Sequence, residues 1–240
     1  MGTSERTPWR RYVGPNGTRR RVRALLRRLE KSYGPFVPKT RRSPLDGLVL
    51  TILSQATNDR NSGRAFARLK ERFETWDALL DAPTEELEEA IKLGGLARNK
   101  SRTIRKVLET LRASSGGLPP TCRDPLLRLA EFPLDEAMVE LTSLPGVGIK
   151  TAACVLMFCL GRPVMPVDTH VHRLAGRLGL VRQEATADQS HLVLMAITPE
   201  ELVYPFHIWL IAHGREVCRA RAPGCDACGL SDLCPSVRRD

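Results

Sequence analysis

The chain has 240 residues, 42% of them hydrophobic, with 37 Lys and Arg against 27 Asp and Glu and seven cysteines. That length supports a real core in one large or two small domains, and the composition excludes general disorder. The formal net charge of +10 favours a polyanionic partner, nucleic acid being the commonest, while the longest apolar run, residues 152–160, is far too short to span a bilayer.

In chain order, residues 1–17 are polar and carry Pro8, Gly14, Pro15 and Gly17, which predicts a mobile basic arm. From Arg19 the apolar residues Val22, Leu25, Leu26, Leu29 and Tyr33 recur at helical spacing with arginines opposite. Residues 45–55 are apolar nearly throughout and predict a central buried helix. Ala65, Phe66, Leu69 and Phe73 mark the next helix. Thr84 opens a short acidic one, with Glu85 and Glu86 in the first turn where the helix dipole favours them. Ile104, Val107, Leu108 and Leu111 define another, ending before the turn cluster at 114–120. Asp124-Pro125 is a cap followed by a first-turn proline, and Pro133 opens a helix to Leu141. No stretch alternates with period two, so the predicted class is all-α.

Residues 144–150 read L-P-G-V-G-I-K between the helix ending at Leu141 and an apolar one from Lys150 to Leu160. Gly146 and Gly148 allow positive φ and leave no side chains over the turn, so the second helix starts on bare N–H groups that attract a phosphate. Two helices so joined form a helix-hairpin-helix, which grips a DNA backbone without reading bases. An ordinary tight turn between helices is the plain alternative. Lys150 sits in the first turn, where the dipole is unfavourable to a cation. Dipole and burial together should lower its amine pKa, and a neutral amine is a nucleophile able to form Schiff bases. A simple phosphate contact is compatible with that role. Asp168, in VDTHVHR at 167–173, is placed to cap the helix carrying Val171 and Leu174. It could also face the same cleft, take a proton from the lysine and stabilise charge developing on a sugar. His170 and His172 suit structural or phosphate-contacting roles better than metal ligation.

The tail carries Cys218, Cys225, Cys228 and Cys234, spaced C-x6-C-x2-C-x5-C in a segment too poor in large apolar groups to order itself by burial. Four thiolates suit zinc or a [4Fe–4S] cluster, and gaps of six and five around one CxxC do not match paired zinc knuckles, which favours iron–sulfur. Four thiolates and a cluster core of about +2 would leave a net charge of about +8. Cys154 and Cys159, in an apolar helix, read as small core residues. No charged leader with an apolar core opens the chain, so an intracellular, cytoplasmic and reducing setting is expected, in which cysteines hold metal rather than disulfides.

Taken together, these segments resemble the endonuclease III family of DNA glycosylases, in the helix-hairpin-helix superfamily. The resemblance rests on LPGVGIKTA at 144–152, VDTHVHR at 167–173, HIWLIAHGREVC at 207–218 and the cysteine tail, and more loosely on LSQATND at 53–59 and GGLARNKS at 94–101. It implies excision of oxidised pyrimidines from duplex DNA, with the damaged nucleotide flipped out of the stack. Asp168 would activate Lys150 to displace the base at the sugar C1′, and β-elimination through the resulting Schiff base would cut the strand. It further implies a six-helix domain at 37–162 and a cluster domain built from 18–36 and 163–240. The chain would act as a monomer on DNA bearing a damaged base or an abasic site, away from membranes. Gly146, Gly148, His170, Arg219 and Arg221 would meet DNA, the two arginines from the cluster loop.

One departure concerns the residue that fills the gap left by the flipped base. The family often carries LSxQ, whereas LSQATND here puts Gln55 one position early and Ala56 in the usual place. Leu96 matches a second wedge on the opposite strand; a loop leucine folding inward is the plain alternative. Two alternatives remain open: an adenine-removing relative, against which Lys150 and a chain ending soon after Cys234 argue, and a non-catalytic, redox-sensing DNA-binding paralogue.

Overall fold

The computed structural model describes residues 8–38, 40–119 and 123–237. Its α-helices, in chain order, are α1 (Arg19–Tyr33), α2 (Pro44–Leu53), α3 (Asp59–Arg72), α4 (Trp76–Asp81), α5 (Thr84–Ile91), α6 (Ala97–Ser115), α7 (Leu134–Thr142), α8 (Ile149–Leu160), α9 (Thr169–Arg177), α10 (Ala187–Ile197) and α11 (Val203–Glu216). Among the described residues there is no β-strand, only an isolated antiparallel bridge between Val13 and Val181. The fold is all-α, and no helix is long and apolar enough to cross a membrane.

Two compact units divide the chain, one formed by residues 1–39 with 163–240 and the other by residues 40–162. In the second unit, α2 lies at the centre and packs on α8, α3, α6 and the 3-10 helix Pro125–Ala130. Its residues Leu45, Leu48, Val49, Ile52 and Leu53 are fully buried, each burial worth about 1.5–3 kcal/mol. Asp124 starts two helices at once. Its Oδ2 accepts from Ser43 Oγ at 2.7 Å and Leu45 N–H at 2.9 Å, and its Oδ1 from Leu126 N–H at 2.9 Å. The carboxylate thereby satisfies N–H groups that helix starts leave without partners. The α2–α8 contact is close because Gly47 carries no side chain; a Cβ there would lie 2.1 Å from Cys159 Sγ. Cys154 and Cys159 are buried, and burial pushes the Cys159 thiol up to about 12.

This unit holds seven α-helices among the described residues, not six. The additional one, α4, has six residues, too few to show a helical period. The predicted central helix also ends earlier than expected, at Leu53 rather than Gln55, because the chain turns at Ser54 and Ala56 takes a φ of 51°.

In the first unit α11 packs on α1 and α9, and α10 on α9. Helix α1 buries Val22, Leu25, Leu26 and Leu29, as its spacing predicts, and Thr18 Oγ1 caps it by accepting from Arg21 N–H at 3.2 Å. Helix α10 opens on a capping box between Thr186 and Gln189. Residues 8–17 are not the mobile arm expected of their Pro and Gly content; residues 1–7 of that arm lie outside the described residues. Pro8–Tyr12 form a 3-10 helix against α10. The N–H groups of Gly14 and Asn16 donate to Leu180 O at 3.0 Å and Gly179 O at 2.8 Å. A side chain at Gly14 would meet Gly179 O at 2.3 Å, so this glycine allows backbone to lie against backbone. His191 of α10 is buried with Nδ1 2.7 Å from Met165 O. Burial lowers its pKa, against the smaller opposing effects of the Met165 bond and Asp188.

Gly47→Ala should destabilise the protein by about 1–3 kcal/mol through overpacking, measured by urea unfolding, and Cys159→Ala in the same chain should recover most of that loss. For His191 the folded pKa lies below the ordinary value of 6.5, so its contribution to stability is full above that pH and falls as the pH drops through it. Unfolding free energy measured against pH should slope upward across that window, and His191→Gln should flatten the slope.

Candidate active site and cysteine centre

The helix-hairpin-helix is formed by α7, a turn at 143–148 and α8. Gly146 has a φ of 73°, and a Cβ there would also strike Thr103 Cγ2 at 2.8 Å, so glycine is required twice over. Gly148 serves differently from expectation. Its φ is −91°, which any residue adopts, and a Cβ would meet nothing within 4 Å. Its missing side chain leaves open space in front of α8. No side chain caps α8, so its first N–H groups are free to meet an anion. Lys150 lies in that first turn, half-buried, with no hydrogen bond or ion pair at Nζ among the described residues.

Two turns of the same unit carry the sequence's wedge candidates. Gln55 is half-buried, its Nε2 3.5 Å from Oγ1 of Thr151, the residue after Lys150. Ala56 is exposed. Leu96 is 59% exposed and left-handed, with a φ of 50°. Ala56 and Leu96 are the non-glycine residues of positive φ among the described residues.

In the other unit Asp168 caps α9, accepting from His170 N–H at 2.9 Å and Val171 N–H at 2.8 Å. Both bonds fall on Oδ1, leaving Oδ2 without a hydrogen-bond partner among the described residues. His170 Nδ1 lies 3.1 Å from Arg173 Nη2, and His172 Nδ1 lies 3.0 Å from Ser190 Oγ, so His172 ties α9 to α10.

Cys218, Cys225, Cys228 and Cys234 line a cavity of about 190 Å³ together with Leu174, His213 and Leu230. Among the described residues no three His, Cys, Asp or Glu side chains converge tightly enough for a single ion. The volume exceeds by an order of magnitude the ~10–15 Å³ that one water-sized sphere needs. Hydrogen bonds also reach the sulfurs: Arg177 Nη1 donates to Cys218 Sγ at 3.3 Å and Leu230 N–H to Cys228 Sγ at 3.4 Å. Burial, and secondarily the charges of neighbouring cysteines, raise the pKa of the Cys228 and Cys234 thiols. Donor set, volume and sulfur hydrogen bonds fit a polynuclear metal centre.

Sequence reasoning missed the side chains that frame this centre. Arg173 donates to Gly214 O at 2.8 Å and to Cys218 O at 3.0 Å, and Arg177 to Arg219 O and Ala220 O, both at 2.8 Å. Their i, i+4 spacing on α9 was the available signal. His213 bridges Tyr33 Oη, 3.1 Å from its Nδ1, and Cys228 Sγ, 3.4 Å from its Nε2. Arg219 and Arg221 are exposed on the loop between the first two cysteines.

The family model described as "HhH-GPD superfamily base excision DNA repair protein" matches residues 49–200. Endonuclease III of Thermotoga maritima is 34% identical over 218 residues, 91% of this chain and 94% of that protein. A protein of Arabidopsis thaliana described as a DNA glycosylase is 41% identical over 173 residues, 72% of this chain; the match spans only 57% of the plant protein. A solved structure of a trapped endonuclease III–DNA covalent intermediate superposes with a TM-score of 0.76 at 32% identity, covering 91% of this chain and 96% of that one. The chain belongs to the HhH-GPD superfamily of base excision DNA repair proteins, and within it to the endonuclease III family.

The Asp168 geometry separates capping from chemistry. Asp168→Ala should cost about 0.5–2 kcal/mol through loss of the cap, whereas Asp168→Asn, which keeps an acceptor oxygen, should unfold at nearly the wild-type temperature; thermal denaturation followed by circular dichroism checks both.

Proposed function

We propose that the chain is a DNA glycosylase with abasic-site lyase activity, excising oxidised pyrimidines from duplex DNA, with Lys150 as nucleophile and Asp168 as its proton acceptor. The observation that carries this reading is Lys150 itself, with no hydrogen bond or ion pair at Nζ among the described residues, in the first turn of an uncapped helix in a chain similar to one trapped as a covalent DNA intermediate. Phosphate binding at the start of α8 would bring the sugar of a flipped nucleotide toward that amine.

In this reading Asp168 Oδ2 takes a proton from Lys150 Nζ. The freed lone pair attacks C1′ as the glycosidic C–N bond breaks, and the base departs with the bonding pair. A proton passes from the alkylated Nζ to the ring oxygen, which leaves with the C1′–O4′ bonding pair as a hydroxyl, so the sugar ring opens and an iminium forms between Nζ and C1′. That cation acidifies the C2′ hydrogen. Its removal forms a C2′–C3′ double bond and expels the 3′ phosphate, after which water hydrolyses the imine and returns the free amine. Covalent capture divides one hard displacement into easier steps. Oδ1 meanwhile stays engaged with the α9 backbone, which holds the carboxylate in one orientation.

Cys218, Cys225, Cys228 and Cys234 would hold a [4Fe–4S] cluster, which when bound would cross-link the tail. Arg173 and Arg177 already fix its first turn through carbonyls, and the exposed Arg219 and Arg221 on that loop would meet DNA phosphates.

Incubation with duplex DNA bearing an abasic site, in the presence of borohydride, should reduce the imine to a permanent protein–DNA crosslink. Lys150→Ala should lose that crosslink while retaining DNA affinity. A wild-type protein that forms no crosslink would overturn this assignment.

A further inference from the structure

Lys100 is placed where two separate rules disfavour a lysine. It is only 3% exposed, with no ion pair among the described residues, and it lies in the first turns of α6, where the dipole opposes a cation. Burial accordingly holds its amine pKa below the ordinary value. Its Nζ donates to Leu53 O at 2.7 Å and to Gly94 O at 2.8 Å. Leu53 is the last residue of α2, three before Ala56, and Gly94 is two before Leu96.

A single buried amine thus joins the two turns that carry Ala56 and Leu96, the non-glycine residues of positive φ among the described residues. Left-handed backbone costs an alanine or leucine roughly 1–2 kcal/mol, and such strain persists only where surrounding contacts over-determine it. Neither Ala56 nor Leu96 has a side chain able to bond its own backbone and so offset that cost.

We infer that Lys100 is a positioning residue that fixes the two turns relative to one another, so that Ala56 and Leu96 enter a duplex together. This rests on the glycosylase reading above. The amine touches no reacting atom in it; its role is to keep two strained projections in register while a nucleotide leaves the stack. Only substrates whose stacking must be broken depend on that register.

Lys100→Met keeps the aliphatic stem and removes the donors. Single-turnover excision of an oxidised pyrimidine from fully paired duplex should fall by roughly ten- to a hundredfold, as misplacement of distant groups does. Borohydride crosslinking to an abasic site in single-stranded DNA should keep the wild-type yield. Leu96→Ala should slow duplex excision in the wild-type background and add little in the Lys100→Met background, since both changes remove one device. If the methionine variant does not fold, Lys100→Gln, whose amide keeps two N–H donors, should show the same substrate split in weaker form. Equal losses on both substrates, no loss on duplex, or additive effects with Leu96→Ala would each overturn the inference. Absence of crosslinking by the wild-type protein would instead overturn the glycosylase reading.

Discussion

Helix ends and the irregular turns between them leave carbonyl groups without partners, and this protein answers that constraint with cationic side chains. Lys100 holds Leu53 O and Gly94 O; Arg105 holds Leu80 O and Ala82 O. Arg162 gathers Leu129 O, Ala130 O and Phe132 O, and Arg41 reaches Leu160 O at the end of α8. Arg173 and Arg177 do the same for the chain around Cys218. A guanidinium presents several donors in a fixed fork, so one side chain can set the path of several residues. Because these partners are carbonyls and not carboxylates, the fold is stitched without cancelling positive charge. The formal +10 therefore serves two purposes, loop construction and attraction of a polyanion.

Each functional part depends on a turn or helix start that its neighbours fix in place. The hairpin turn needs Gly146 for its φ and for clearance from Thr103, and Gly148 for the open space before α8. Asp168 is fixed by the same two N–H bonds that begin α9, so its structural and proposed chemical roles share one orientation and divide its two oxygens between them. The cysteine tail is drawn to α9 by arginines and to α1 and α11 through His213 and Tyr33. It has a defined cavity even though few of its own side chains are apolar.

Much of this was legible from residue order. Helices whose apolar residues recur every three to four positions, such as α1 and α6, fall where the spacing puts them, because one buried stripe fixes the conformation. Caps were legible too, at Asp124 and Asp168, since a short acceptor before a helix has few other uses. The short α4 was not legible, nor was the attachment of residues 8–17, which depends on bonds to residues 179–181 that no local pattern encodes.

The sequence by itself determined the all-α class, the glycine hairpin followed by Lys150, and the four-cysteine tail, because each depends on neighbours in the chain and on side-chain chemistry. Tertiary structure decided what a residue's surroundings ask of it. Gly148 became clearance instead of an unusual φ, Cys159 a packing partner of Gly47, and Lys100 a buried tie between two turns. The physical reason is that van der Waals clearance and hydrogen-bond satisfaction are settled between segments distant in sequence, and only folding brings those segments together.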